Sequence, residues 1–209
     1  MSLTIVCFGD SNTFGLKPNP YPWTRQRWAR SERWPTLLSG LTGFDVISEG
    51  LPGRTAASVN EGARHLDAFP YVPTMMESHS PIDAVIVMLG TNDLQHSFNL
   101  KPEAITTSVA ALAKSIARSE QANGHQAPRL LIVAPPPVQE VGFRRATYAG
   151  AADKSRALAP LYSQMANELG FAFLDAGRHS KVSQIDGIHL DVDDHKGMAQ
   201  AIAVKLAEN

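Results

Sequence analysis

Five short runs of mainly apolar residues recur along the chain, separated by longer segments of mixed polarity. Within each run the apolar residues are continuous rather than alternating, which is typical of strands buried on both faces of a parallel sheet. We therefore predict one strand in each run. The runs are TIVCF (4–8), FDVIS (44–48), DAVIVML (83–89), RLLIVA (129–134) and FAFLDA (171–176).

Apolar residues between and after these runs recur every three or four positions, the spacing that gives a helix one apolar face. When strands alternate with helices, right-handed crossovers place the helices on both faces of a parallel sheet. The pattern predicts an α/β fold, a three-layer α/β/α sandwich around a parallel sheet of about five strands. The helical stripes are Ile105, Val109, Leu112 and Ile116; Leu158, Leu161, Met165 and Leu169; and Met198, Ile202 and Leu206.

The composition narrows the class of protein. A chain of 209 residues suits one domain, and we predict a single domain over 1–209 because no repeat or linker interrupts it. With 19 Lys and Arg against 20 Asp and Glu, the net charge of -1 predicts neither a nucleic-acid nor a membrane partner. The single cysteine, Cys7, excludes a disulfide within the chain and is expected to be a small buried hydrophobe.

The start of the chain, MSLTIVCFGD, lacks the features of an export signal. It has no basic leader, and its apolar stretch of about five residues is shorter than the roughly 7 to 15 that a signal peptide needs. No window approaches the ~18 consecutive apolar residues of a membrane helix. We therefore expect a cytoplasmic protein.

Glycine and polar residues follow the predicted strands. GDS (9–11) follows the first strand, GLPGR (50–54) the second and GTND (90–93) the third, while DGIH (186–189) precedes the last helical stripe. Ligands of open parallel sheets bind beyond the carboxyl ends of the strands. The four segments are therefore expected to meet at one edge of the sheet.

The residue types in these segments match nucleophilic catalysis. A serine hydroxyl needs an adjacent base, and His189 is the natural base for Ser11. Asp186, three positions before His189, can hold the other ring nitrogen, which completes a Ser-His-Asp triad. The backbone N–H groups of Ser11 and Gly53 and the side-chain amide of Asn92 are candidate oxyanion donors, and Gly53 suits this role because it has no β-carbon.

Each of these polar residues taken alone also has a structural explanation. Ser11 could be a helix N-cap, and Asn92 could be a turn or cap residue. Asp10 is expected to bind backbone N–H groups of its turn, and Asp93 to cap or brace its loop. Only the combination of the four segments favours a catalytic reading.

The segment HLDVDDH (189–195) contains metal-ligand residue types. Its three aspartates, however, also stand at the start of a predicted helix, where carboxylates are favoured by the helix dipole. We therefore predict no metal, and no cofactor motif is present: the chain lacks both the phosphate-binding G-x-x-x-x-G-K-[ST] and the dinucleotide-binding G-x-G-x-x-G.

The four blocks GDSNT (9–13), GLPGRT (50–55), GTND (90–93) and DGIH (186–189) resemble those of the SGNH hydrolase family, also called GDSL esterases/lipases. The resemblance extends over nearly the whole chain. It implies the flavodoxin-like SGNH hydrolase fold and a serine esterase that acts on a small-molecule ester through an acyl-enzyme. It also implies the triad and oxyanion roles given above.

The longer strings EGLPGRT, DAVIVMLGTND, LLIVAPPP, FLDAG and IDGIHL are similar to the bacterial arylesterase/acyltransferase branch. This similarity implies hydrolysis of short acyl or aryl esters, acyl transfer to alcohols, and a homo-oligomer, octamers being known in the branch. Two positions depart from the family: Asn12 stands where its name expects leucine, and Glu49 where many members have asparagine. We expect the local hydrogen bonding to differ there.

Three further residues are candidates for substrate binding. Phe14 and Ile188, next to the nucleophile and the base, are expected to form walls of a small acyl pocket. Arg54 either steadies the glycine block or contacts substrate. The segments 16–31 and 135–150 are longer than the usual connections of about 4 to 6 residues, and pocket walls, a subunit contact and plain surface loops all stay open for them.

Alternative functions use the same residues. A carbohydrate acetylesterase (deacetylase) or a thioesterase needs the same triad, and an oligomeric acyltransferase needs only an acceptor other than water. A flavodoxin-like binding module with an incidental serine is the alternative outside catalysis. The chain has no G-x-S-x-G nucleophile elbow, which argues against an ordinary α/β-hydrolase.

Overall fold

A sheet of five parallel strands forms the middle layer of the fold, with the strand order β2-β1-β3-β4-β5. The computed structural model describes residues 2–57, 61–122 and 124–208. Each predicted apolar run overlaps one strand, so the strand predictions are confirmed, although β1 and β2 end one and two residues later than predicted. The strands are β1 (Thr4–Gly9), β2 (Asp45–Gly50), β3 (Ala84–Met88), β4 (Arg129–Ala134) and β5 (Ala172–Asp175).

Helices cover both faces of this sheet. In the described part of the chain they are α1 (Ser11–Phe14), α2 (Trp34–Thr42), α3 (Val72–His79), α4 (Pro102–Ala122), α5 (Ala151–Leu169) and α6 (Val192–Ala207). Val6 and Phe8 of β1 pack in the same core as α3, α4 and α5, whereas Ile5 and Cys7 point into the core formed with α2 and α6. This alternation confirms the three-layer sandwich and the burial of Cys7.

The topology creates a crevice at the end of β1. The chain passes from β1 to β2 on one side and returns to β3 on the other, so the strand order reverses beside β1. Such a switch point is where open α/β sheets bind ligands. Close packing of β2 on α1 depends on Gly50, because a β-carbon there would lie 2.2 Å from the backbone nitrogen of Phe14.

The described helices include none that is both long enough and apolar enough to cross a membrane.

Candidate active site

Ser11 is the first residue of α1 and follows the end of β1 by two positions. The N-cap of α1 is Asp10, whose Oδ1 accepts a hydrogen bond from the Asn12 N–H at 2.9 Å. The structural role predicted for Asp10 is thereby confirmed. The alternative reading of Ser11 as the cap is wrong, because the neighbouring carboxylate already fills that position.

The side chains of Ser11, His189 and Asp186 form one hydrogen-bonded chain. His189 Nε2 lies 3.1 Å from Ser11 Oγ, and His189 Nδ1 lies 2.6 Å from Asp186 Oδ2. All three residues are buried in the protein, with exposed fractions of 4% or less. The structure thus brings together three side chains from segments separated by more than 170 positions along the chain.

The local turn that carries His189 is held by Asp186. Asp186 Oδ1 accepts hydrogen bonds from the backbone N–H groups of Ile188 at 3.1 Å and His189 at 3.0 Å, and Oδ2 accepts one from Asn19 N–H at 3.0 Å. Gly187 has a φ of 74°, and a β-carbon there would lie 1.9 Å from the carbonyl oxygen of Gln139. The glycine therefore permits the turn that folds the carboxylate back onto the imidazole.

Electrostatics favours an ionised Asp186. Burial by itself would raise the pKa of Asp186, but the hydrogen bonds and charge interaction with His189 lower the pKa to about 2. An ionised carboxylate at Oδ2 favours the tautomer of His189 that carries its proton on Nδ1. Nε2 is then an acceptor, which is the form that can take the proton of Ser11.

Asn12 clamps the backbone on both sides of His189. Its Nδ2 donates to the carbonyl oxygen of Ile188 at 3.0 Å, and its Oδ1 accepts from the Leu190 N–H at 3.2 Å. A leucine at this position could make neither bond. The departure from the family pattern at Asn12 therefore has a structural consequence, which is a direct link between the helix of Ser11 and the segment of His189.

We expect Asn12→Leu to lower kcat for ester hydrolysis by about 10- to 100-fold, because small displacements of catalytic groups have costs of this size. Loss of two buried hydrogen-bond partners should also lower the free energy of unfolding, by about 2 kcal/mol. Ester hydrolysis and covalent labelling of Ser11, measured well below the unfolding temperature, separate the loss of alignment from the loss of stability.

The matched control is Thr13→Val. Thr13 is also buried in α1, but its hydroxyl oxygen has no hydrogen-bond partner in the described residues. This variant removes a hydroxyl without breaking a bond, so its kcat and labelling rate should stay close to those of the wild type. Equal rates in Asn12→Leu and the wild type would exclude the positioning role.

Two residues that border one cavity have backbone N–H groups available to an incoming ligand. Those of Ser11 and Gly53 donate to no acceptor within the part of the chain that the structure describes. Gly53 adopts a φ of 90° and a β-carbon there would lie 3.1 Å from Leu66 Cδ1, so both the conformation and the space favour glycine. Backbone N–H groups without an acceptor can donate to a negatively charged oxygen of a ligand.

Asn92 is buried at the same site between several polar partners. Its Nδ2 donates to the Arg54 carbonyl oxygen at 3.0 Å and lies 3.4 Å from Asp10 Oδ2, while its Oδ1 accepts from the Tyr148 hydroxyl at 3.2 Å. Burial raises the pKa of Asp10 to about 7, above the ordinary value for an aspartate. The long contact to Asp10 leaves one amide proton weakly held.

Asp93 and Arg54 stabilise the surrounding loops. Asp93 accepts hydrogen bonds from the backbone N–H groups of Ala56 and Ala57, which confirms its predicted bracing role. The buried Arg54 guanidinium donates to the carbonyl oxygens of Gly9 and Glu49. Of the two roles left open for Arg54, the structure favours steadying the glycine block.

The Glu49 side chain contacts Tyr71 and His79. Its carboxylate accepts a hydrogen bond from the Tyr71 hydroxyl at 3.1 Å and lies 2.8 Å from His79 Nε2. The described contacts of the Glu49 carboxylate therefore include neither Ser11 nor His189.

A cavity of about 290 Å³ is lined by Ser11 and His189. Ile188 lines it, as predicted, whereas the described residues around it include neither Phe14 nor Arg54. Phe14 is covered by Arg27, whose guanidinium lies 3.6 Å from the centre of the Phe14 ring. The expectation that Phe14 forms a wall of the acyl pocket is therefore corrected, because the segment after α1 folds back over its ring.

The two long segments form walls of this cavity. Asn19, Thr24 and Arg25 reach it from segment 16–31, and Arg144 and Tyr148 from segment 135–150. Of the readings left open by the sequence, the structure favours pocket walls. In the sequence these segments stood out by their length, which did not single out the lining residues.

The aspartates after His189 belong to the start of α6. Asp191 is its N-cap residue, and Asp193 and Asp194 lie in its first turn, where the helix dipole favours negative charge. His195 is buried in the same helix, and its Nδ1 accepts a hydrogen bond from the Trp34 N–H at 3.4 Å. In the described residues, no group of three or more His, Cys, Asp or Glu side chains is placed to hold a metal ion.

Comparisons with known proteins agree with this geometry. The sequence model of the GDSL-like lipase/acylhydrolase family matches residues 7–196. A carbohydrate acetylesterase from Sinorhizobium meliloti shares 32% identity, with 99% of each chain covered and a TM-score of 0.94. An aryl esterase from M. smegmatis shares 31% identity, with 98% of each chain covered and a TM-score of 0.93. A search of curated proteins found no match.

Proposed function

Because the chain belongs to the GDSL-like lipase/acylhydrolase family and is an esterase, we propose that Ser11, His189 and Asp186 are its catalytic triad. The observation that carries this proposal is the continuous chain of contacts, 3.1 Å from Ser11 Oγ to His189 Nε2 and 2.6 Å from His189 Nδ1 to Asp186 Oδ2. A serine with such partners can act as a nucleophile, whereas an isolated one cannot.

The proposed reaction has two halves. Ser11 Oγ attacks the ester carbonyl carbon while its proton passes to His189 Nε2, and Asp186 stabilises the resulting imidazolium. The imidazolium then gives this proton to the leaving alcohol, and the acyl group stays on Ser11. In the second half His189 takes a proton from water, the hydroxide oxygen bonds to the acyl carbon, and the proton returns to Ser11 as the acid leaves.

The proposed oxyanion hole consists of the backbone N–H groups of Ser11 and Gly53 and the side-chain amide of Asn92. The negative oxygen of the tetrahedral intermediate needs donors that are already in place, since reorganising them would cost free energy during the reaction. The free N–H groups and the weakly held proton of Asn92 support this assignment.

We expect Asn92→Ala to lower kcat by about 100- to 1,000-fold, the cost of removing one oxyanion donor. Asn92→Asp, which keeps the shape but loses the donor, should be similarly impaired, while Tyr148→Phe should have a smaller effect because it removes only the hydroxyl that donates to Asn92 Oδ1. Initial rates on an aryl acetate measure all three. An unchanged kcat in Asn92→Ala would remove this residue from the oxyanion hole.

For the substrate we propose short-chain acyl or aryl esters, with deacetylation of carbohydrates as the second candidate. The aryl esterase and the carbohydrate acetylesterase among the similar structures support one candidate each. The small volume of the cavity favours a short acyl chain. Relative kcat/KM values for an aryl acetate, an acetylated sugar and an acyl thioester distinguish these substrates, and an added alcohol measures transfer of the acyl group.

The experiment that tests the triad is covalent labelling with a fluorophosphonate, followed by mass spectrometry of the intact protein and peptide mapping. The expected result is a single adduct on Ser11 that is lost in His189→Ala. No adduct on a folded wild-type protein, or an adduct on another residue, would contradict the assignment of Ser11 as the activated serine.

A further inference from the structure

Two arginines from different segments line the cavity above Ser11. Arg25 belongs to segment 16–31 and Arg144 to segment 135–150, and both line the cavity that Ser11 and His189 also line. The two segments are far apart in the sequence, so the cavity receives one positive charge from each wall. The proposed reaction itself uses neither side chain.

The positive charges in the cavity have no carboxylate partners. No aspartate or glutamate is among the described residues that line it. Neither Arg25 nor Arg144 forms an ion pair with a carboxylate of the described residues. The nearby Asp186 is buried, and its two oxygens accept from His189, Ile188 and Asn19, so it does not present its charge to the cavity.

Arg144 also has an unused donor. Its Nε atom is buried and has no hydrogen-bond partner in the described part of the chain, although its guanidinium stands 4.8 Å from the centre of the Phe143 ring. A buried donor without a partner is unfavourable unless a ligand or water supplies an acceptor. Apart from Ser11 and His189, the remaining polar side chains that line the cavity are uncharged: Asn19, Thr24, Asn92, Gln95 and Tyr148.

We propose that the ester cleaved by this protein carries an anionic group, and that Arg25 and Arg144 bind it. This proposal rests on the function proposed above and adds the class of substrate. Guanidinium groups bind planar anions such as carboxylates through paired, charge-assisted hydrogen bonds. A neutral ester would leave two positive charges and the Arg144 Nε–H without such partners.

The anionic group can belong to the acyl part or to the alcohol part of the ester. Two matched pairs of aryl esters distinguish these sources. Phenyl hydrogen adipate and phenyl methyl adipate place or remove the charge on the acyl side. The second pair is 3-acetoxybenzoate and methyl 3-acetoxybenzoate. This pair places or removes the charge on the leaving-group side. Release of the phenol measures cleavage of the aryl ester in all four.

The expected result is a kcat/KM at least about 10-fold higher for the charged member of one pair, since charged hydrogen bonds contribute this much or more. The double variant Arg25→Gln/Arg144→Gln should lose most of this preference. Added NaCl should reduce the preference of the wild type as well, because salt screens charges near the surface. The pair that shows the preference identifies the side of the ester that carries the charge.

Arg145→Gln is the matched control. Arg145 follows Arg144 directly but does not line the cavity, so this variant should keep the wild-type preference. Equal kcat/KM values within both pairs, a preference for the neutral esters, or the same loss in Arg145→Gln as in the double variant would each overturn the proposal.

A binding measurement separates this proposal from the proposed function. Calorimetry with Ser11→Ala protein is expected to show tighter binding of the charged ester than of its neutral partner, and the double substitution Arg25→Gln/Arg144→Gln in that protein should abolish the difference. If the wild type cleaves none of the four esters, the proposed esterase substrates are wrong, while the binding result still decides whether the arginines select an anion. Equal binding of charged and neutral esters would overturn the proposal even in an active enzyme.

Discussion

Replacement of Ser11 by alanine is expected to lower kcat for ester hydrolysis by about 10,000-fold or more, the cost of removing the nucleophile from a serine triad. The fold should remain for two reasons. In the described residues, Ser11 Oγ is hydrogen-bonded only to His189 Nε2, and Ser11 borders the cavity, so loss of its hydroxyl leaves no void in the core. Burst and steady-state release of a phenol from an aryl acetate measure the loss, and thermal unfolding measures the stability.

Ser155→Ala is the matched control for this result. Ser155 is also a buried serine, but its Oγ accepts from the Val138 N–H at 3.1 Å and donates to the Ala152 carbonyl at 2.8 Å, away from the cavity. This variant should lower the stability while keeping kcat near the wild-type value. Ester cleavage by Ser11→Ala at a rate near that of the wild type would refute the assignment of the nucleophile.

The strands and the long helices were predictable because their apolar patterns are strong. Continuous runs match buried parallel strands, and the stripe from Ile105 to Ile116 matches the buried face of α4. The shorter helices α2 and α3 were not predicted. α2 has nine residues and buries Trp34 and Leu38 together with Pro35, so it is too short to show a repeated stripe.

The site was predictable where it consists of contiguous blocks. Ser11, Gly53, Asn92 and the Asp186 to His189 turn each lie in a short block whose residue types fit one chemistry, and the structure brings these blocks together. Their catalytic roles stay predictions until activity is measured.

Contacts that depend on long loops could not be predicted. Segment 16–28 folds back on α1, with the Trp28 N–H donating to the Gly15 carbonyl at 2.8 Å, and this return covers Phe14 and carries Arg25 to the cavity. The clamp of Asn12 on Ile188 joins residues 176 positions apart. Neither contact has a local sequence pattern, since each depends on how separate loops meet.

Replacement of Asp186 by asparagine should lower kcat by about 10,000-fold, as loss of this carboxylate does in other serine triads. The physical reason is the tautomer of His189. If the asparagine keeps its oxygen at the Oδ1 position to accept from Ile188 and His189, its amide group faces His189 Nδ1 and favours a proton on Nε2. Nε2 could then no longer accept the proton of Ser11.

The pH dependence of kcat distinguishes two explanations for the loss in Asp186→Asn: a wrong tautomer of His189, or a shift in the pH range in which the enzyme is active. The pKa of Asp186 is held at about 2, so the wild-type carboxylate is ionised throughout the range of an ester assay. The loss in Asp186→Asn should therefore persist at every pH from about 5 to 9.

The matched control is Asp175→Asn, which alters a carboxylate at the end of β5 that accepts a hydrogen bond from the Gly177 N–H. This variant should keep wild-type kcat. A kcat for Asp186→Asn within about tenfold of the wild type, in a folded protein, would show that His189 acts without the carboxylate, because loss of the correct tautomer has a far larger cost.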